Sequence, residues 1–270
     1  MNGINGNVIV GQSGGPTAVI NSSLAGVYKT ARDRGANQVY GMVHGIQGLL
    51  EERYVDLSKH ITSDLDIELL KRTPSAYLGS CRFKLPEISQ DREIYDKIFR
   101  ILEKLEIGYF FYIGGNDSMD TIKKLSDYSL LNGSPIRFMG VPKTIDNDLA
   151  ATDHTPGYGS AAKYIGSITK EVIRDGLVYD QQSVTILEIM GRNAGWLTGA
   201  AALARCEDCE GPDMIFLPEV TFDVDKFMNQ VARLHEKKKS VVVAVSEGVK
   251  LADGRYVCEL TEDRKSTRLN

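Results

Sequence analysis

The chain has 270 residues, 42% hydrophobic and 25% charged, a composition typical of a globular protein with one or two domains. The formal net charge of −4, with no basic run, does not favour binding to nucleic acid or to an anionic membrane. The N-terminal sequence lacks a signal-peptide pattern, no stretch is apolar for long enough to predict a transmembrane helix, and the four cysteines are expected to be reduced thiols of a cytoplasmic protein.

Short apolar runs and longer amphipathic stretches alternate along the chain. Strands are predicted at residues 7–10, 39–43, 109–113, 138–141, 184–189, 214–217 and 241–245. Helices are predicted at residues 16–34, 95–105, 118–127, 161–174, 197–204 and 225–238, the first with Pro16 near its start and Gly35 just past its end. This alternation predicts an α/β fold with a mostly parallel sheet, whose ligands bind beyond the C-terminal ends of the strands.

A glycine-rich segment follows the first predicted strand and contains Gly11, Gly14 and Gly15. A glycine turn that opens a helix exposes backbone N–H groups and the positive end of the helix dipole, so the segment predicts an anion-binding loop. Its spacing differs from the Walker A and dinucleotide-binding motifs, and a simple turn is the structural alternative.

A second glycine pair, Gly114 and Gly115, follows the strand predicted at 109–113. The next residues are Asn116 and Asp117. The pair indicates close approach of a phosphate, and the acid could direct a metal ion. An aspartate that caps the following helix is the structural alternative, and both interpretations can hold together.

The most informative segment follows the strand predicted at 138–141 and contains Lys143, Asp146 and Asp148. Lys143 offers a point charge for a phosphate. The two carboxylates are expected on one face of an extended segment, where one accepts a proton from a substrate hydroxyl and the other tunes its basicity or orients a metal. A solvated turn would need neither the lysine nor the paired acids, so we interpret the segment as catalytic.

Two further charged residues follow predicted strands. Arg192 comes after the strand at 184–189 and can bind a phosphate with two hydrogen bonds. Glu247 comes after the strand at 241–245 and can accept hydrogen bonds from sugar hydroxyls. Cys206 and Cys209 form a single C-x-x-C motif, which does not indicate a zinc site without a second pair or a nearby histidine.

Together these motifs resemble the phosphofructokinase family. The matching segments, in the family's order, are GQSGGPTAVIN, GSCRF, IGGNDS, PKTIDND, EIMGRNAGW, LPE and SEG. The resemblance implies a two-lobed α/β enzyme with helices on both faces of its sheets, which transfers a phosphoryl group to the 1-hydroxyl of fructose 6-phosphate with Mg²⁺ and assembles as a homo-oligomer. It predicts a donor-binding lobe at 1–149, an incomplete sugar-phosphate lobe at 150–262 and a non-family tail at 263–270.

The resemblance also assigns expected roles to individual residues. The donor-binding positions correspond to Gly11, Gly15, Arg82, Gly114 and Gly115. The sugar-phosphate positions correspond to Thr144, Asp146, Met190, Gly191, Arg192 and Glu247. Asp146 matches the family's proton acceptor, and Asp148 matches the second acid of that motif.

Two positions distinguish the phosphoryl donor. Members that use ATP carry glycine where this chain has Asp117 and Lys143, and the pair resembles relatives that use pyrophosphate. A carboxylate at 117 would repel the α-phosphate of ATP, and an ammonium at 143 would stabilise charge on the transferring or leaving phosphate. The expected reaction is therefore reversible phosphoryl transfer from pyrophosphate, with an ATP-dependent 6-phosphofructokinase and an inactive fragment as alternatives.

Asn116 and Ser183 depart from the family pattern. Asn116 replaces the aspartate that usually binds Mg²⁺, so the metal is expected to bind through pyrophosphate or Asp117. Ser183 replaces an arginine that ATP-dependent members contribute across a subunit interface, which weakens the expectation of that contact.

Overall fold

The computed structural model describes residues 6–260, which divide into two compact units. Unit 1 ends at Thr144 and unit 2 begins at Ile145, whereas the sequence placed the boundary at 149. The predicted tail at 263–270 lies outside the described residues. The roles expected of the two lobes, donor binding and sugar binding, stay predictions.

Unit 1 is built on a five-stranded sheet. Its strands are β1 (Asn7–Gln12), β2 (Val39–Met42), β3 (Tyr54–Asp56), β4 (Ile107–Gly114) and β5 (Arg137–Pro142). They lie in the order β3-β2-β1-β4-β5, and all pairs are parallel except β2 with β3. The central strands β1 and β4 therefore end at the same edge of the sheet.

Helices cover both faces of this sheet. They are α1 (Ile20–Asp33), α2 (Gly45–Leu50), α3 (Asp64–Arg72), α4 (Arg92–Lys104) and α5 (Asn116–Leu131), with a 3-10 turn at Leu57–Lys59. Ile9 belongs to a core cluster with residues of α4 and α5, whereas Val8 and Val10 belong to a second cluster with residues of α1 and α3. A strand buried on both faces needs a continuous apolar run, which explains the sequence of β1.

Unit 2 contains a three-stranded parallel sheet. Its strands are β6 (Ser183–Ile189), β7 (Met214–Phe216) and β8 (Ser240–Ser246), in the order β6-β8-β7. Its helices are α6 (Tyr158–Gly176), α7 (Trp196–Gly199) and α8 (Val224–His235), with 3-10 helices at Ala200–Ala204 and Val257–Glu259. One core cluster joins the sheet to α6 and α7, and another joins it to α8.

The predicted α/β class is confirmed, and most predicted strands agree with the observed ones within two residues. The helix predicted from residue 16 is wrong at its start, because α1 begins at Ile20. The Gln12 side chain donates to the Ile20 carbonyl and to Asn21 Oδ1. These bonds fix the first turn of α1 at a position after the glycine segment. Within residues 6–260, no helix is both long enough and apolar enough to cross a bilayer.

Candidate functional site

The two glycine segments of unit 1 meet at one edge of the sheet. The first glycine loop, residues 13–19, follows β1, and the glycine pair Gly114 and Gly115 follows β4. Ser13 donates its backbone N–H to the Ile113 carbonyl at 2.9 Å, and its hydroxyl forms a hydrogen bond with that of Ser118. The predicted convergence of strand-end motifs therefore holds for these two segments.

Gly114 is required by this close approach. A Cβ atom at Gly114 would lie 2.0 Å from Ser118 Oγ and 2.7 Å from Ser13 Oγ. Both serines are buried, so neither hydroxyl has room to move away. The contact between the two glycine segments is thus incompatible with a side chain at Gly114.

Lys143 connects the same two segments. Its backbone N–H donates to the Gly114 carbonyl at 2.8 Å, and its ammonium donates to the Gly15 carbonyl at 2.7 Å. The residue is only 7% exposed, which is unusual for a lysine. The ammonium therefore lies beside the first glycine loop, and the Lys143 backbone attaches it to the second glycine segment. Thr144, half-buried, follows it and ends unit 1.

The first glycine loop offers fewer backbone donors than predicted. The amides of Ser13 and Gly14 are already bonded, to the carbonyls of Ile113 and Cys81. Gly14 has a φ of +75°, a conformation that favours glycine, whereas Gly15 has an ordinary φ and is exposed. Gly11 lies inside β1 and is buried.

The helix whose N-terminus lies at this edge of the sheet is α5. The expectation that the first glycine loop opens directly into α1 was wrong. Gly115 is the N-cap of α5 and Asn116 is its first residue, whereas α1 begins only after the first glycine loop has ended. Among residues 6–260, we find no hydrogen bond to the amides of Gly15, Asn116 or Asp117. These donors and the positive end of the α5 dipole are the features of unit 1 best suited to bind an anion.

Arg82 is placed beside the first glycine loop by its neighbours. The Cys81 carbonyl accepts from the Gly14 amide at 3.1 Å, and the Ser80 hydroxyl donates to the Gly14 carbonyl at 2.5 Å. The Arg82 side chain is exposed. The loop that carries it is thus attached to the donor segment predicted for it.

Tyr112 of β4 contacts two of the segments around the first glycine loop. Its hydroxyl accepts from the Ile46 amide at 3.3 Å and lies 3.5 Å from Cys81 Sγ. Burial raises the pKa of Tyr112, so the phenol stays neutral at physiological pH. Tyr112 therefore contributes a hydrogen-bonding hydroxyl without adding a negative charge near the anion-binding loops.

Asn116 and Asp117, the expected metal-directing residues, lie exposed in the first turn of α5. Within the described range, no group of three or more His, Cys, Asp or Glu side chains could hold a metal ion. A site made of one carboxylate and one amide resembles the sparse protein ligation that Mg²⁺ receives when substrate phosphates supply further ligands. Asn116 and Asp117 therefore suit a metal ion that binds together with a diphosphate, whereas they are too few to hold a metal ion without it.

In unit 2, the segment with Asp146 and Asp148 is not extended as predicted. Asn147 between them has a φ of +58°, so the alternation that would place both carboxylates on one face is broken. The Asn147 side chain donates to the Asp153 carbonyl at 3.1 Å and accepts from the Thr155 amide at 2.9 Å. These bonds fix a turn in which Asp146 is half-buried and Asp148 is exposed.

The other predicted sugar-phosphate residues come together at the ends of β6 and β8. Glu247 accepts a hydrogen bond from the Gly191 amide at 3.3 Å, and the Ser246 hydroxyl donates to the Gly191 carbonyl at 2.8 Å. The flanking Met190 and Arg192 side chains are exposed. The structure thus joins the two segments of unit 2 that the sequence singled out separately.

Sequence reasoning missed three residues that hold these loops. Ser13 and Ser118 link the glycine segments of unit 1, and Glu219 accepts from the Gly195 amide at 2.7 Å in unit 2. A serine close to each glycine pair was a visible signal for the first link. Glu219 lay in the matched LPE segment without an assigned role.

The sequence of this chain is similar to the sequences of known enzymes. The profile of the family described as Phosphofructokinase matches residues 7–270. The chain is 43% identical over 260 residues to the pyrophosphate–fructose 6-phosphate 1-phosphotransferase of Rhodospirillum rubrum, a match that covers 96% of this chain and 62% of that protein. It is 32% identical over 251 residues to the ATP-dependent 6-phosphofructokinase of Erwinia tasmaniensis, with 93% and 69% covered.

A solved structure shares the fold. The crystal structure of the pyrophosphate-dependent phosphofructokinase from Nitrosospira multiformis superposes with a TM-score of 0.81 and is 42% identical in sequence. The match covers 92% of this chain and 62% of that one. The chain thus spans somewhat less than two thirds of the length of these pyrophosphate-dependent relatives.

Proposed function

The chain belongs to the phosphofructokinase family, and we propose that it transfers a phosphoryl group from pyrophosphate to the 1-hydroxyl of fructose 6-phosphate. The products are fructose 1,6-bisphosphate and phosphate. Because pyrophosphate and the product ester are both phosphate compounds of moderate energy, the reaction runs in either direction.

The observation that carries the proposal is the position of Lys143. Its ammonium is buried beside the first glycine loop, 2.7 Å from the Gly15 carbonyl, and its backbone amide is bonded to the Gly114 carbonyl of the second glycine segment. Phosphoryl transfer depends mainly on positioning and on stabilising the charge of the transferring and leaving phosphates. A fixed ammonium beside free backbone amides supplies that stabilisation for a small inorganic diphosphate.

Asp117 supports the choice of donor. It lies in the first turn of α5, next to the amides that are free to bind phosphate. A carboxylate there tolerates a diphosphate that binds with a cation and disfavours the additional α-phosphate of ATP. The identity of 43% to a pyrophosphate-dependent relative, against 32% to an ATP-dependent one, points the same way.

In the proposed reaction, Asp146 accepts the proton of the sugar 1-hydroxyl as its oxygen attacks phosphorus and inorganic phosphate leaves. Asp148 tunes the basicity of Asp146. Thr144 and the unit 2 residues Met190, Gly191, Arg192 and Glu247 bind the sugar phosphate. On the donor side, Gly15 and Gly115 bring backbone close to the diphosphate, and Arg82 contributes a guanidinium. Gly11 and Gly114 are buried at the strand ends and support the loops that carry these donors.

Mg²⁺ is the proposed cofactor, with Asp117 as its protein ligand and Asn116 as a weaker one. When bound, the ion neutralises charge on the diphosphate. The remaining proposals follow from family membership: the protein acts in the cytoplasm, and it functions as a homo-oligomer.

An assay coupled to aldolase tests the donor directly. Supplied with fructose 6-phosphate and Mg²⁺, the chain should produce fructose 1,6-bisphosphate with pyrophosphate and little or none with ATP. Turnover with ATP alone would overturn the donor assignment. Absence of turnover with either donor would favour a fragment that binds phosphates without catalysis.

The double variant Asp117→Gly with Lys143→Gly tests the two residues behind the assignment. We expect kcat with pyrophosphate to fall by about 10²–10³, the usual cost of removing one preorganised charge from a reacting phosphate or oxyanion. Lys143→Met separates the ammonium from the rest of the side chain, since it keeps most of the apolar stem but removes the charge and its bond to the Gly15 carbonyl. A comparable fall of kcat in this variant would assign the effect to the ammonium rather than to the loss of side-chain volume. Unchanged pyrophosphate kinetics in the double variant would count against the proposal.

A further inference from the structure

The C-x-x-C motif of unit 2 forms a closed hairpin. Cys206 donates its N–H to the Cys209 carbonyl at 2.9 Å, and Cys209 donates to the Cys206 carbonyl at 3.2 Å. Facing residues of an antiparallel pair that exchange both hydrogen bonds have Cα atoms about 5.5 Å apart and side chains on the same face. That separation lies within the range of disulfide bonds, about 4.4–6.8 Å.

The two thiols differ in access and surroundings. Cys206 is exposed, whereas Cys209 is buried, with 8% of its surface accessible. The Lys170 ammonium of α6 lies 3.0 Å from Cys206 Sγ and 2.7 Å from Asp208 in the hairpin turn. Asp208 also forms an ion pair with Arg174 of α6. The hairpin is thus attached to a helix that places a cation against the accessible sulfur, while the Cys206 thiol also donates to Asp208 Oδ1 at 3.0 Å.

A cavity of about 390 Å³ opens beside this sulfur. Cys206, Lys163 and Lys170 are among the residues that line it. Three cations, Lys163, Lys170 and Arg174, outnumber the single carboxylate of Asp208 beside the thiol, and this excess of positive charge favours a small ligand that carries carboxylates. The cavity is open to solvent, so a small disulfide can reach Cys206 Sγ.

From these observations we propose that Cys206 and Cys209 are a redox-active pair that is oxidised to a disulfide by small anionic disulfides of the glutathione class. In the first step, the Cys206 thiolate attacks one sulfur of the small disulfide, a mixed disulfide forms and one thiolate leaves. In the second step, Cys209 loses its proton to solvent and its sulfur attacks Cys206 Sγ, which releases the second thiolate. Two protein thiols and one small disulfide thus become one protein disulfide and two small thiols.

Lys170 is placed to assist the first step. The Cys206 thiol donates to Asp208 Oδ1 at 3.0 Å, and once its proton is lost to solvent the ammonium 3.0 Å away stabilises the negative charge on the attacking sulfur. Cys258 is a natural reference within the chain, since it is also exposed but lies on the 3-10 helix Val257–Glu259 outside the hairpin. It should react more slowly and should stop at the mixed disulfide.

The test is to incubate the 270-residue chain in glutathione buffers of graded oxidation, quench with acid, alkylate the remaining thiols and map the peptides by mass spectrometry. The peptide with Cys206 and Cys209 should lose two hydrogen atoms as the buffer becomes oxidising, and the change should reverse with reductant. A dithiol that persists while Cys258 acquires glutathione would overturn the proposal.

Three variants assign the order of the steps. Cys209→Ser should retain glutathione on Cys206, and Cys206→Ser should leave Cys209 unmodified over the same period. Lys170→Met should slow mixed-disulfide formation roughly fivefold with glutathione disulfide and less with neutral hydroxyethyl disulfide, because both its charge and its place in the cavity matter. Equal rates for Cys206 and Cys258 in the parent chain would contradict the role of the hairpin.

Discussion

The two units use the same α/β architecture but differ in how completely their sheets are covered. In unit 1, all six residues of β1 are buried, and helices pack on both faces. In unit 2, the edge strand β6 exposes Val184, Ile186 and Glu188 on one face. Helix α8 packs against the sheet only through partly buried side chains.

This difference separates two ways of holding a functional loop. The glycine segments of unit 1 are extensions of strands fixed in a dense core, so their geometry depends on packing. The Met190–Arg192 and Glu247 segments of unit 2 depend more on local hydrogen bonds, such as those from Gly191 to Glu247 and from Ser246 to Gly191. We expect mutations in the sheet to matter more in unit 1 and mutations at the loop contacts to matter more in unit 2.

The largest expected effect is the loss of a core side chain from β1. Ile9→Ala should destabilise unit 1 by about 3 kcal/mol, because Ile9 is fully buried and its removal leaves a cavity. The matched variant Ile186→Ala in β6 should cost less than about 1 kcal/mol, because Ile186 is 55% exposed. Hydrogen exchange measured by mass spectrometry gives the opening free energy of each sheet separately.

The control for this pair is Val184→Ala, a second truncation on the exposed face of β6, which should behave like Ile186→Ala. If the three variants destabilise their own units equally, the difference in how the two sheets are covered does not affect stability. A larger loss of stability in Ile186→Ala than in Ile9→Ala would contradict the proposed difference between the units.

The next effect concerns a close backbone approach in unit 2. A Cβ atom at Gly248 would lie 1.9 Å from the Arg192 carbonyl oxygen, so Gly248→Ala must displace the segment that carries Arg192. Under the proposed function, we expect the KM for fructose 6-phosphate to rise about tenfold, the effect of losing one charged hydrogen bond to the sugar phosphate. Steady-state kinetics at saturating pyrophosphate measure this change.

Gly15→Ala is the matched control in unit 1. No atom lies within 4 Å of the position that its Cβ would occupy, and its φ is ordinary. The variant should leave the KM for fructose 6-phosphate unchanged. A KM that stays constant in Gly248→Ala as well would show that the Arg192 segment does not contribute to sugar binding.

The sequence predicted the buried strands best, because continuous apolar runs such as that of β1 have few alternative explanations. It missed α2, β3 and α3. The α2 helix starts after His44 in a left-handed conformation and contains two glycines, so no helical pattern was visible. The α3 helix did carry a readable signal, since Ser63 and Asp66 form a capping box.

The candidate site was predictable where it depends on strand order and unpredictable where it depends on one backbone angle. Parallel strands bring their C-terminal ends together, which placed Lys143 beside the glycine segments. The sequence offered only a weak signal that Asn147 would turn left-handed and separate the faces of Asp146 and Asp148, since asparagine adopts this conformation more readily than most residues but does not require it. Its bonds to Asp153 and Thr155 are local, but asparagine accepts several conformations and the choice is made by the fold.

The smallest expected effect compares two capped helices, α3 of unit 1 and α8 of unit 2. Asp66 accepts from the amides of Thr62 and Ser63, and Asp223 accepts from the amide of Lys226; these bonds lower the pKa of both carboxyls. A carboxyl whose pKa is lower in the folded state than in the unfolded chain stabilises the folded state. This contribution is complete at pH values above the unfolded-state pKa, near 3.9. This stability is lost as the pH falls through the folded-state value.

Removal of these carboxyls should affect the two helices unequally. Asp223 is the N-cap of α8, whereas Asp66 lies in the first turn of α3 and the N-cap Ser63 remains in Asp66→Ala. The α3 helix also buries Ile67 and Leu70, whereas every residue of α8 stays at least partly exposed. For both reasons Asp223→Ala should speed amide exchange in α8 severalfold more than Asp66→Ala does in α3. Exchange of each variant is compared with the parent at the same pH, which cancels the intrinsic pH dependence. The ratio should fall towards one as the pH drops below the unfolded-state value near 3.9 and then through the lowered pKa of each carboxyl in the folded parent. A ratio for α8 that persists in acid would mean that Asp223 stabilises the helix by something other than its charge.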